Sequence, residues 1–128
     1  MADPQQTVEQ LTAALNQGDL DAAVALYEDN AVLVAQPGQV ARGRSQIRQA
    51  LQGFVALRPT ISSTATHVTE SGDLALCMSR WSLHGTDPSG APVTMGGEST
   101  DIVRRQADGR WLIALDNPWG VAVLPSTS

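Results

Sequence analysis

Thr94-Met95-Gly96-Gly97-Glu98-Ser99-Thr100-Asp101-Ile102-Val103-Arg104-Arg105 leads into Ala107-Asp108-Gly109 and returns as Arg110-Trp111-Leu112-Ile113-Ala114-Leu115-Asp116-Asn117-Pro118-Trp119. Asp108-Gly109 tolerates positive φ, so the two β-rich runs are predicted to fold back as an antiparallel hairpin. Each run carries one carboxylate among apolar neighbours, Asp101 or Asp116. Such an acid is either solvated on the outer face or held in a pocket, where it matters chemically.

Strand alternation puts Ser99, Asp101 and Val103 on one face, and Thr100, Ile102 and Arg104 on the other. On the return strand Leu112, Ala114 and Asp116 share a face. If these faces line a hollow, desolvation raises the Asp101 pKa and leaves a protonated acid that can donate a hydrogen bond. Asp101 and Asp116 are therefore the candidate catalytic residues; the alternative is a structural Asp bonded to backbone or arginine. Asn117 and Trp119 form either a ligand-binding rim or an Asx-type turn before Pro118 with an indole plugging the core. Trp81 shares a face with Cys77, Ser79 and Leu83, and either shapes a pocket for a flat apolar ligand or is ordinary core. The candidate ligand-binding set is thus Trp81, Ser79, Ser99, Asn117, Trp119 and Tyr27. Trp111 reads as packing on the outer side, where Ile102, Trp111, Ile113 and Leu115 would make an apolar patch suited to a second copy.

Upstream the pattern is helical. Asp3-Pro4 opens a first helix with Val8, Leu11, Ala14 and Leu15 on one face, and Gly18 closes it. Asp19 caps a second helix, whose stripe is Leu20, Ala23, Val24 and Tyr27, stopped by Glu28-Asp29-Asn30. Ala31 to Ala35 is a buried strand, closed by Gln36-Pro37-Gly38, and Val40-Ala41 is a short return. Ser45 is expected to cap a third helix carrying Ile47, Ala50, Leu51, Phe54 and Val55, broken at Arg58-Pro59. From Thr60 the grammar is β: Thr60 to Thr69, a turn at Ser71-Gly72-Asp73, and a strand from Leu74 to His84. A wide turn at Thr86 to Gly90 precedes the last hairpin, and Val121 to Ser128 reads as a fraying tail. Three helices followed by antiparallel strands indicate an α+β fold, in which helices close one end of a curling sheet.

With 128 residues, the chain fits one domain, residues 1–128, long enough for a core without staples. A hydrophobic fraction of 42% and a mean hydropathy of −0.10 are ordinary for a globular chain. No apolar run approaches the roughly 20 residues that span a bilayer, and Met1 to Gln5 lacks a secretory pattern. Net charge is −5 with no basic cluster beyond Arg104-Arg105, which argues against nucleic acid and anionic membranes. The single cysteine, Cys77, fits a reducing cytoplasm. His67 and His84 lie on different strands without metal-ligand spacing, so no metal is expected. No phosphate loop, dinucleotide fingerprint or serine elbow is present. The expected partner is a small apolar molecule or a second copy, with no cofactor.

The string Leu15-Asn16-Gln17-Gly18-Asp19-Leu20-Asp21-Ala22-Ala23-Val24-Ala25-Leu26-Tyr27-Glu28-Asp29-Asn30-Ala31 resembles the second-helix signature of the nuclear transport factor 2-like superfamily. Pro37-Gly38, Gly43-Arg44 and Ile47 fit the same group. The ending from Ser99 to Gly120 is similar to its SnoaL-like branch of small bacterial proteins, the SgcJ/EcaC type. The resemblance covers essentially the whole chain. It implies three helices on a strongly curved, mostly antiparallel sheet: a cystatin-like roll with a conical pocket, in a homodimer. Ketosteroid isomerases share this fold, and Asp101 falls where that family keeps a protonated Asp. Its general-base Asp falls at Ala35 and its oxyanion tyrosine at Leu11, and neither replacement can move a proton. The resemblance therefore implies a pocket with isomerase- or cyclase-type acid–base chemistry through Asp101, with Asp116 or His67 as base. A non-catalytic ligand-binding or dimerisation module is the alternative.

Overall fold

A computed structural model of the chain describes residues 3–125. Helix α1 (Pro4–Gln17) begins as its sequence predicts, with Asp3 Oδ1 accepting the Gln6 amide at 2.9 Å. Gly18 ends it at φ 73°, a conformation in which any Cβ is strained. Asp19 then caps α2 (Leu20–Val24) by accepting from the Ala22 amide. This second helix stops short of the expected stripe. Tyr27 opens strand β1 (Tyr27–Gln36) instead, and the backbone carbonyls there are bonded from distant elements. The Ile113 amide donates to Leu26 O at 2.8 Å, and the Arg44 guanidinium donates twice to Tyr27 O, at 2.9 and 2.6 Å. These bonds tie the chain just past α2 to β6 and α3, and set Tyr27 into the sheet.

Strand β2 (Gln39–Arg42) returns after the Pro37-Gly38 turn. Helix α3 (Gly43–Val55) starts before Ser45, which is not its cap. Gln46 Oε1 instead accepts the Arg42 amide at 2.8 Å, satisfying that donor from inside the first turn. Its Ile47 and Leu51 are buried, and the chain leaves it through Arg58 at φ 49°. Four strands follow: β3 (Thr60–Ser71), β4 (Leu74–Thr86), β5 (Pro92–Arg105) and β6 (Trp111–Asn117). Among the described residues they form one six-stranded sheet ordered β2-β1-β6-β5-β4-β3, with β1 parallel to β6 and all other neighbours antiparallel. This is the α+β arrangement implied by the sequence: three helices on a curved, open, mixed sheet.

Leu11, Leu15, Ala23, Ile47 and Leu51 from the helices meet Tyr27, Leu33, Cys77, Val103 and Ile113 from the sheet to make the core. Asn16 fastens α1 to the edge strand β3: its side-chain amide donates to Ile61 O and accepts from Ile61 N, at 3.0 and 2.7 Å. The expected tail from Val121 begins as a 3-10 turn, Gly120–Val123; its last three residues lie outside the described residues.

The phase of β6 differs from simple alternation. Val103 pairs with Ile113 and Ile102 with Leu115, so Ala114 is an extra residue, a β-bulge. Trp111 and Ile113 therefore point into the core, and neither belongs to an outer patch. Beyond the bulge the parity inverts, Leu115 faces outward, and Asp116 turns inward opposite Asp101. Asp116 reaches the inner face through this extra residue, not by sharing a face with Leu112 and Ala114.

Candidate functional site

Between the helices and the sheet lies a cavity of about 90 Å³. Its apolar walls come from α1 (Val8, Leu11, Leu15), α3 (Leu51, Phe54) and the sheet (Leu33, Ile61, Trp81, Leu83). Its polar groups come almost wholly from the sheet: Tyr27, Ser63, Ser79, Ser99, Asp101 and Asp116. Ser79, Ser99, Asp101 and Asp116 come from the neighbouring strands β4, β5 and β6, Tyr27 from the start of β1 and Ser63 from the edge strand β3.

Asp101 and Asp116 are cross-strand partners, exposed by only 3% and 6%. Carboxyls opposed in this way sit within hydrogen-bonding reach of each other. The Tyr27 hydroxyl donates to Asp116 Oδ2 at 2.6 Å, and the Asn117 amide donates to Asp101 Oδ1 at 3.2 Å. No arginine lines the cavity, and the chain contains no lysine. With no cation to compensate two buried carboxylates, a proton must do so. Burial first, then the charge of Asp116 and a hydrogen bond to it, hold Asp101 well above the usual carboxylate range. Asp101 therefore favours its protonated form more strongly than an exposed aspartate does. Burial and the same Asp116 charge push the Tyr27 phenol upward as well, so Tyr27 remains an O–H donor. The arrangement is a short row of neighbouring acids, Tyr27 to Asp116 to Asp101. The absence of lysine removes imine chemistry with a lysine side chain from consideration.

Of the residues singled out from the sequence, Tyr27, Ser79, Trp81, Ser99, Asp101 and Asp116 converge on this cavity. Asn117 and Trp119 do not line it. Asn117 accepts the Trp119 amide and donates to Gly120 O, both at 3.2 Å, which is the Asx-type turn. Trp119 meets Trp81 edge-to-face at 5.6 Å, and its indole donates to Ala35 O at 3.0 Å. The Trp81 indole donates to Pro118 O at 2.7 Å. The two indoles thereby strap the exit of β6 across the cavity's end. His67 and His84 are exposed and away from the lining, so His67 is not placed as a base. Cys77 lies across from Asp101, where burial and then that neighbour push its thiol up to about 11. It is a poor nucleophile at neutral pH. Ala35 is likewise outside the lining, while Leu11 is part of the wall.

The contact between Tyr27 and Asp116 was not foreseen. Tyr27 is the chain's only tyrosine, but helix periodicity concealed its strand position.

A SnoaL-like domain family model matches residues 8–113. The chain belongs to the SnoaL-like domain family. The match takes in Asp101 and stops short of Asp116. No curated protein matches this SnoaL-like domain. Among solved structures, a nuclear transport factor 2-like protein from Salmonella enterica is similar with a TM-score of 0.79 and 14% identity, over 88% of this chain and 84% of the other. A candidate ketosteroid isomerase from Shewanella frigidimarina is similar at 0.76 and 23% identity, over 88% and 90%. SalBIII, described as an epoxide hydrolase/cyclase-like enzyme in pyran ring formation, is similar at 0.72 and 21% identity, over 90% and 88%. At these identities the likeness is one of fold.

Proposed function

We propose that this SnoaL-like domain binds a small, largely apolar carbonyl compound in the cavity and catalyses acid–base chemistry of the isomerase or cyclase type. The observation that carries it is the buried, cross-strand Asp101–Asp116 pair with no countercharge in the cavity lining; in this reading the pair shares one proton. Asp101 donates its proton to the carbonyl oxygen. Asp116 removes a proton from the adjacent carbon, whose C–H electron pair becomes the new C=C bond as the carbonyl π pair moves to oxygen. Asp116 then returns the proton to carbon through the C=C electron pair while the enol O–H gives its proton back to Asp101 and C=O re-forms; alternatively Asp116 passes its proton to Asp101 and the enol leaves. The pair holds one proton before and after each turnover, and exchange of that proton with solvent brings label to the substrate carbon in D₂O. Tyr27 keeps the Asp116 carboxylate oriented through the step. The candidate ketosteroid isomerase and the cyclase-like SalBIII, on the same fold, are in keeping with this reading.

The test is deuterium uptake beside the carbonyl of 2-pentanone in D₂O, followed by proton NMR. Acceleration of about a hundredfold over buffer is expected, on the scale of positioned proton transfer. Asp101→Asn and Asp116→Asn should each abolish it. A wild-type rate equal to buffer sinks the catalytic reading; saturable binding of 2-pentanone without exchange leaves a non-catalytic binding module.

A homodimer through the outer sheet face belongs to the same proposal. In place of the patch expected from sequence, Leu76, Ile102 and Leu115 stand opposite one another across β4, β5 and β6, flanked by exposed Leu74 and Met78. An apolar stripe spanning three strands suits a second copy. Sedimentation should show a dimer that Leu76→Glu dissociates; a monomeric wild type at micromolar concentration refutes it. A cytoplasmic location is proposed on the lone, buried Cys77.

A further inference from the structure

One pair of polar side chains in the cavity is not used by the acid–base step. Ser79 and Ser99 face each other across β4 and β5, with their hydroxyls 2.6 Å apart, and both line the cavity. Two hydroxyls have two protons, and the bond between them uses one. Among the described residues neither oxygen has another protein partner, so one O–H and spare lone pairs are left to face the cavity. Nothing in the packing demands polarity here, since the neighbouring inward positions Trp81, Leu83 and Val103 are apolar. Ser99 lies two residues from Asp101 on the same face of β5, so the hydroxyl pair is about 7 Å along the strand from the acid pair.

We infer that the Ser79–Ser99 pair is a second polar subsite, which selects a compound carrying a hydroxyl or carbonyl oxygen at the far end of a short apolar body. This deepens, and rests on, the proposal that the cavity binds a small carbonyl compound. The class is a bifunctional one: a carbonyl oxygen at Asp101, and a second oxygen some four or five bonds away at the serines. The small volume sets the size. A cavity of about 90 Å³ is well below the roughly 150 Å³ that accommodates benzene in an engineered protein cavity, so a slender open chain of about five carbons fits better than a ring.

The experiment compares 2-pentanone with 5-hydroxy-2-pentanone by NMR titration of backbone amides, on the wild type and on the Ser79→Ala/Ser99→Ala double variant. The wild type should bind the hydroxyketone about fivefold more tightly, as one net hydrogen bond provides. The double variant should lose that preference and bind the two ketones alike. Should the double variant fail to fold, Ser99→Ala alone carries the comparison. Equal binding of both ketones by the wild type overturns the subsite and leaves the carbonyl-binding reading standing. A preference that survives the substitutions also overturns it. If neither ketone binds, both readings fall together.

Discussion

The hydroxyl of Tyr27 donates to the carboxylate of Asp116 at 2.6 Å, joining two buried residues 89 positions apart in the chain. A hydrogen bond to a charged group contributes about 1.5–3 kcal/mol, and its loss leaves that charge without a donor. Tyr27→Phe, which keeps the ring and its packing, should therefore cost about 2 kcal/mol in urea unfolding. Its slope with urea should be unchanged. A loss within experimental error of zero would show that the bond holds nothing.

Asp101 titrates higher in the folded protein than the ordinary unfolded value near 3.9. The folded state thus binds this proton more tightly. The resulting stabilisation is complete below about pH 4 and drains away as pH rises through the folded-state pKa. Asp101→Asn, neutral at every pH, escapes that loss. Its stability relative to wild type should climb with pH, by up to about 1.4 kcal/mol per pH unit. Unfolding curves at about pH 5 and about pH 8 test this, and a constant difference would mean that Asp101 is an ordinary carboxylate.

Gly120 has φ 53°, and a Cβ built on it would collide with the Glu98 carbonyl oxygen. The chain passes β5 there with no room for a side chain. Gly120→Ala should destabilise by about 3 kcal/mol, a strained backbone position and a displaced neighbour together. Thermal unfolding that matches wild type would show that this segment shifts freely.

Trp119→Phe retains an aromatic ring beside Trp81 and removes the indole donor to Ala35 O. The expected cost is about 1 kcal/mol. Acceleration of amide hydrogen exchange should concentrate in residues 117–123. Uniform acceleration across the sheet would argue against a local strap.

Much of this was legible in the sequence because the signals were local. Asp3-Pro4, Gly18 and Asp19 set the helix ends through their own side chains and φ angles, and Pro37-Gly38 and Asp108-Gly109 set the turns. Alternation along β5 correctly placed Ser99, Asp101 and Val103 together. The misreadings have non-local causes. Ile113 and Arg44 hold the Leu26 and Tyr27 carbonyls just past α2, and no helix pattern around Tyr27 announces partners so far along the chain. Trp111 and Ile113 were put outside because strict alternation has no means of counting a bulge. The same omission grouped Asp116 with Leu112 and Ala114.

That extra residue at Ala114 makes the acid pair a matter of register. Loss of the Ala114 codon would heal the bulge and leave Asp116 opposite Asp101 in an unbroken ladder. A one-residue gap at this position in an alignment therefore marks a relative that keeps both aspartates in its cavity, one residue closer in sequence. Cross-strand register, not a fixed residue count between Val103 and Asp116, is the guide to whether a relative keeps the pair.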